Sequence, residues 1–315
     1  MTESNLAFVF PGQGSQKPGM LAEMAAASGL VESTFAEASE VLGYDLWSTC
    51  QQGSAEELAQ TEVTQPLLLT ASTALWRCWQ DSKGPQPALL AGHSLGEWSA
   101  LVAAGVISLA DGVRLVQLRG QYMQSAVPAG QGAMAAIVGL EDDLIEKACE
   151  EVAGNDVVLP VNFNSPGQVV IAGHASAVDR AAAKCSQLGA RRAMQLPVSA
   201  PFHTPLMQPA ADRLASDIEA TSFSAPQIPV LHNVTVAAEN DAEEIKRLMV
   251  RQITSPVPWT QTLSKMLDAG ILSSVECGPG KVLAGLNKRI AKELTTLSIE
   301  TPEALQSSLG TLQGA

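Results

Sequence analysis

The pentapeptide Gly92-His93-Ser94-Leu95-Gly96 constrains this chain more than any other stretch. It follows the apolar run Ala88-Leu89-Leu90-Ala91 and precedes a helical-looking segment from Glu97 to Ala104, so a Gly-x-Ser-x-Gly pattern falls between a short buried strand and a helix. Glycines on both sides of the serine permit a strained turn that a Cβ would crowd, leaving the hydroxyl exposed at the strand's C-terminal end. The helix aims its free N–H groups at the same spot, where negative charge develops during acyl transfer. On this reading Ser94 is a nucleophile. The same residues also fit a helix capping box, with Ser94 accepting from the backbone and Glu97 reaching back.

A chain of 315 residues can bury a large core, as one unit with an insertion or as two domains. Apolar residues at 46% and charged residues at 16% suit a soluble enzyme. No apolar run approaches the ~20 residues of a membrane helix, and no secretory signal pattern opens the chain, so a cytoplasmic location is expected. Cys50, Cys78, Cys149, Cys185 and Cys277 are scattered and form no Cys-x-x-Cys, which suggests neither a disulfide framework nor a zinc site. The net charge of -13 argues against nucleic acid or an anionic membrane as partner. An acidic partner would need a local basic patch.

The run Leu6 to Phe10 reads as a buried first strand that breaks into the glycine-rich loop Pro11-Gly12-Gln13-Gly14-Ser15-Gln16. A dinucleotide fingerprint fails because its third glycine would fall on Lys17, and a P-loop fails because Met20 follows Gly19. Two readings remain open: a turn presenting N–H groups to an anion, or an ordinary strand-to-helix turn. Amphipathic stretches at Val31 to Leu42, Ser54 to Gln60 and Pro66 to Trp79 suggest a helical layer on the strand. Ser108-x-x-Asp111 opens a helix to about Val127, on which Leu115, Arg119 and Met123 share a face. Arg119 there is either a snorkelling side chain or a guanidinium aimed at a bound carboxylate, while Arg114 reads as solvated.

From Gly132 the order is strand (Ala133 to Val138), helix (Glu141 to Val152), strand (Val157 to Asn162), turn, strand (Gln168 to Ala172), helix (Ser176 to Leu188) and strand (Arg191 to Leu196). This β-α-β-β-α-β order predicts a ferredoxin-like insert, residues 128–197, within a larger unit made of 1–127 and 198–315. Beyond it come the loop Pro201 to Pro205, a helix from about Leu206 to Ala220, a strand Pro229 to His232 and a helix from Ala242 to Gln252. A strand Ser273 to Glu276 leads through Gly278-Pro279-Gly280 into a basic helix carrying Lys281, Lys288, Arg289 and Lys292. The final dozen residues read as a tail.

A serine nucleophile needs a base, and His93, His174, His203 and His232 are the candidates. His93 adjoins Ser94, where the turn aims its side chain elsewhere; His174 and His232 fall at strand ends and fit ordinary core or surface histidines. His203 lies in a proline-flanked loop C-terminal to the serine, the order that hydrolases use. No Asp or Glu beside it stands out as a third member, so a backbone carbonyl or an amide would have to orient it.

At these residues the chain resembles the bacterial malonyl-CoA:acyl carrier protein transacylases of type II fatty-acid synthesis. The resemblance runs through Phe10 to Gln16, Gly92 to Glu97, Arg119-Gly120, Pro160 to Gln168, Pro201-Phe202-His203 and Glu276 to Lys281. It implies an α/β-hydrolase-like large subdomain with an inserted ferredoxin-like small one. Ser94 would attack the malonyl thioester with His203 as base in a dyad without a carboxylate, and the backbone carbonyl of Gln252 would orient His203. The N–H groups of Gln13 and Leu95 would form the oxyanion hole, Arg119 would pair with the malonyl carboxylate, and Asn162 and Phe202 would line the pocket. Trp98 stands where tyrosine is more usual, and Phe202 where some bacterial members have serine; the phenylalanine is similar to that of malonyl-selective polyketide acyltransferases.

The resemblance implies transfer of malonyl from malonyl-CoA to the phosphopantetheine thiol of acyl carrier protein with no resident cofactor or metal; a monomer is expected, while the oligomeric state, the pathway served (fatty acid or polyketide) and selectivity between malonyl and methylmalonyl stay open. An esterase or thioesterase that hands the acyl group to water would use the same residues. A non-catalytic docking module would need a dead site, which Ser94, His203 and Arg119 speak against. For an acidic carrier, Lys288 and Arg289, with Arg191 and Arg192, form the candidate docking patch.

Overall fold

The computed structural model describes residues 2–198 and 200–313. Among these residues nine strands fall into two sheets: β1 (Thr2–Phe10), β2 (Gln86–Gly92), β7 (Val230–Leu231), β8 (Ser273–Glu276) and β9 (Thr295–Ser298) in one, and β3 (Gly132–Val138), β4 (Val158–Ser165), β5 (Gln168–His174) and β6 (Arg192–Gln195) in the other. The first has the order β7-β2-β1-β8-β9 with every paired neighbour parallel. The second has the order β4-β5-β3-β6 and is antiparallel throughout. With helices Asp142–Ala153 and Ala175–Gln187 between its strands, it is the expected ferredoxin-like unit.

Strand β1 is buried on both faces, as a central parallel strand must be. Leu6, Phe8 and Phe10 point into one core, where Phe8 meets the edges of Trp76 and Trp79 at centroid distances of 5.1 Å. Ala7 and Val9 point into a second core with Trp259, Leu263 and Met266. This two-residue alternation divides the large sheet's helices into two layers. The small sheet follows the same rule: Ala135, Ile137, Val169 and Ile171 pack on its own helices, whereas Met134, Val170 and Ala172 join the core of the large part.

Strands β2 and β8 lie on opposite sides of β1, so the crevice at the carboxyl ends of β1 and β2 is a topological switch point. The chain there turns sharply. Ser94 has φ +53° and ψ -107°, and a Cβ on Gly96 would lie 1.9 Å from the Phe10 carbonyl oxygen. At Gly92 a Cβ would come equally close to the Gly96 backbone. The pattern is needed because helix Leu95–Ala103 starts hard against β1.

Several expectations change. The helix expected from Pro66 spans Thr61–Asp81, which places the proline inside it. Lys281 is the N-cap of helix Val282–Ile290 and Lys292 lies beyond its end, leaving Lys288 and Arg289 as its basic residues. The final residues are no tail: helix Pro302–Gln313 buries Leu305 and Leu309, which lie four apart and so share a face. Helices Leu46–Gln52 and Trp259–Asp268 and strand β9 also had no counterpart in the sequence reading.

Candidate active site

The elbow helix carries no side-chain cap, which removes the capping-box reading of Ser94. The serine Oγ lies 2.8 Å from His203 Nε2. His203 Nδ1 lies 3.0 Å from the Gln252 carbonyl oxygen, an acceptor only, so Nδ1 carries the hydrogen and Nε2 is free to accept from the serine. Burial first, then the nearby Arg119 charge, push the His203 pKa down from 6.5 to about 3 against the pull of its bond to Gln252. The imidazole is therefore neutral near pH 7, as a base must be.

Arg119 is 2% exposed, which rules out snorkelling. It projects from helix Leu109–Ser125, donating through Nη1 to Gln65 Oε1 at 2.8 Å and through Nη2 to Gln252 Oε1 at 3.1 Å and Ser94 Oγ at 3.2 Å. Its Nε has no hydrogen-bond partner among the described residues. Burial lowers its pKa to about 10, partly offset by the Glu97 carboxylate, so it stays a cation at neutral pH. A buried guanidinium beside a serine hydroxyl offers a charged, planar partner that suits a carboxylate.

These groups face a cavity of about 300 Å³. Gln13 and Leu95 stand at its wall, the latter as first residue of the elbow helix, where backbone N–H groups lack intrahelical partners. Met134, Ala136 and Val170 close it from the small sheet, Phe202 from the histidine loop, and Val282, Leu283 and Leu286 from the helix after β8. Buried Glu276 anchors that last helix, accepting from the N–H groups of Leu283 at 3.0 Å and Ala284 at 2.8 Å. Asn162, from β4, reaches the same cavity with its Oδ1 buried and without a partner among the described residues.

The remaining histidines separate cleanly. His93 is held by Asn164 Oδ1 at 2.8 Å and ties the elbow to the small sheet, with burial lowering its pKa. His232 is fully buried against Glu97 at 2.8 Å. His174 accepts the Val157 N–H at the far end of the small sheet. Lys288, Arg289, Arg191 and Arg192 are exposed, and Arg289 donates to Gln168 Oε1 at 2.5 Å. Gln168 in turn lines the cavity, which places Arg289 at its margin.

Sequence reasoning missed Gln65 and Asn233, and saw Glu97 only as a cap. Asn233 accepts the Ser94 N–H at 3.0 Å and donates to the Gly92 carbonyl at 2.7 Å, spanning the elbow. Its separation of 139 residues from Ser94 leaves no local signal. Glu97 was detectable in principle, as the one charged side chain of a mostly apolar helix.

Among the described residues, no group of histidine, cysteine, aspartate and glutamate side chains could hold a metal ion, and no helix is long and apolar enough to cross a membrane. A serine hydrogen-bonded to a histidine, with a buried cation beside them, lines one cavity, and residues 7–310 match the family described as acyl transferase domain. The chain is 59% identical over 306 residues to a malonyl CoA-acyl carrier protein transacylase of Salmonella typhimurium, covering 97% of this chain and 99% of that protein. It is 42% identical to the protein of that name from Bacillus subtilis, covering 98% of each. Among solved structures, the transacylase of Coxiella burnetii superposes with a TM-score of 0.97 at 49% identity, covering 98% of both chains. A malonyl-transacylase in complex with a type II polyketide-synthase acyl-carrier protein superposes at 0.96 and 53% identity, covering 98% of this chain and 99% of that one. The chain belongs to the acyl transferase family, among its malonyl CoA-acyl carrier protein transacylases.

Proposed function

We propose that this protein moves the malonyl group of malonyl-CoA to the phosphopantetheine thiol of acyl carrier protein through a Ser94 ester, supplying fatty-acid synthesis. The buried Arg119 cation, 3.2 Å from Ser94 Oγ, carries the reading, because it selects an acyl chain with a free carboxylate. Ser94 gives its proton to His203 Nε2 as Oγ attacks the thioester carbonyl. The oxyanion is received by the N–H groups of Gln13 and Leu95. Collapse expels the CoA sulfur, which takes the proton from His203. The carrier thiol then enters, returns a proton to Nε2 and attacks the ester, and Ser94 leaves with that proton.

No resident cofactor is required by these steps, since CoA is substrate and phosphopantetheine is on the partner. Asn162 and Phe202 line the acyl and pantetheine space; Lys288, Arg289, Arg191 and Arg192 receive the acidic carrier. The division into a large catalytic part, 1–127 with 198–315, and a small part, 128–197, follows the two sheets. A monomer suffices, because one chain supplies every group named. Five free cysteines suit the reducing cytoplasm.

Transfer of radiolabelled malonyl to holo carrier tests the reading. Label should move to the holo form far faster than it is released to water, and apo carrier, which has no thiol, should take none. Release to water unchanged by the carrier would make the protein a hydrolase.

A further inference from the structure

Beneath the elbow lies a carboxylate that the transfer steps do not use. Glu97 is fully buried, and its two oxygens accept from three donors: His232 Nδ1 at 2.8 Å, the Asn233 backbone N–H at 3.1 Å and Gln252 Nε2 at 2.6 Å. Two of these lead directly into the active site. Asn233 bridges the Gly92 carbonyl and the Ser94 N–H, and so holds the elbow in its left-handed turn. Gln252 donates also to the Ser94 carbonyl at 3.0 Å, accepts His203 Nδ1 on its own carbonyl and accepts Arg119 Nη2 on its side-chain oxygen.

We propose that Glu97 is a positioning residue that sets the nucleophile, the base and the carboxylate-binding arginine from one point. The inference rests on reading the cavity as a malonyl site. Its core is donor polarity. An ionised carboxylate only accepts, so the Gln252 amide must turn its nitrogen toward Glu97 and its oxygen toward Arg119. Were that amide reversed, its NH₂ would face a guanidinium that also only donates, and Arg119 would lose that hydrogen bond. The negative charge also supports the buried Arg119 cation. Glu97 thus writes the acyl preference of the site without touching the acyl group.

Glu97→Gln tests this with little change of shape. It places an NH₂ among three donors and weakens the hold on the Gln252 nitrogen, which then rests on the Ser94 carbonyl. The readout is kcat/KM for acylation of Ser94 by malonyl-CoA and by acetyl-CoA, on protein shown to be folded by its thermal transition. Both rates should fall, and the malonyl preference over acetyl should shrink on the order of 10–100-fold, the value of a hydrogen bond to a charged group. A merely structural glutamate would lower both rates equally, and that result overturns the proposal. If Glu97→Gln does not fold, Glu97→Asp keeps the charge but withdraws it by one methylene; its preference should shrink less than the glutamine's predicted loss but measurably, and an unchanged preference overturns the proposal. The wild-type chain is the control: failure to take malonyl at all removes the malonyl reading and this inference with it, whereas a normal wild type with unaltered variants removes the inference alone.

Discussion

Ser94 and His203 meet across 2.8 Å with both backbones in the left-handed region, at φ +53° and +64°. Each departs from what a side chain with a Cβ prefers, at a cost of order 1–3 kcal/mol. The two strained turns arise separately, one where β2 breaks into the elbow helix and the other in the loop between Pro201 and Pro205. The surrounding bonds hold them: Asn233 across the elbow, and the Gln252 carbonyl behind the imidazole. The pair is therefore preorganised, with the Gln252 carbonyl where a carboxylate would stand in a triad.

Removing the base should cost what general base catalysis supplies. His203→Ala is expected to lower kcat by about 10²–10⁴ while leaving the cavity able to bind malonyl-CoA. Stopped-flow acylation and equilibrium binding of malonyl-CoA separate the two effects.

The depressed pKa of His203 gives a signed pH dependence. With the free-enzyme value near 3 rather than 6.5, kcat/KM should stay level as pH falls through 6.5, because the base remains unprotonated there. Stability behaves differently: below 6.5 the unfolded chain gains a proton on this histidine that the folded chain refuses, so His203 makes the protein less stable as pH falls toward 3. A half-activity point near 6.5 in the kcat/KM profile would contradict the burial argument.

Arg119→Ala removes the charge partner of the malonyl carboxylate and frees Gln65 and Gln252. Malonyl transfer should fall by two or more powers of ten, about the value of a buried charge-assisted pair. Acetyl-CoA, which needs no such partner, should be tolerated comparatively better. Competition between the two thioesters reads the ratio directly.

Two glycine substitutions should move stability in opposite directions. Gly96→Ala forces a Cβ to 1.9 Å from the Phe10 oxygen and should destabilise by ~1–3 kcal/mol or more, with loss of activity. Gly285→Ala, in helix Val282–Ile290 with nothing within 4 Å of the new Cβ, should stabilise by about 0.5–1 kcal/mol. Urea unfolding of both variants checks the contrast.

Charge reversal at Lys288 and Arg192 should raise the KM for the acidic carrier about tenfold at low salt, while acylation by malonyl-CoA changes far less. Steady-state titration with holo carrier at two ionic strengths tests this, the effect shrinking at high salt.

Much of this was legible because the signals are local. The elbow is five consecutive residues, the small sheet follows from alternation and helix boundaries, and Ser108 caps its helix as its spacing to Asp111 requires. The resemblance pointed to Gln252, whose carbonyl indeed lies against His203. What stayed hidden depends on distant partners. Glu97 and His232 are 135 residues apart, and nothing near either one signals the pair. The terminal helix was missed for a related reason: Leu305 and Leu309 show their shared face only once there is a core to cover.

The central claim is that Ser94 carries the malonyl group between two thioesters. Intact-protein mass spectrometry after brief exposure to malonyl-CoA tests it most directly. One malonyl group should appear on the wild-type chain, none on Ser94→Ala, and the adduct should disappear when holo carrier is added. A wild-type chain that gains no mass, or an adduct that survives Ser94→Ala, would contradict it.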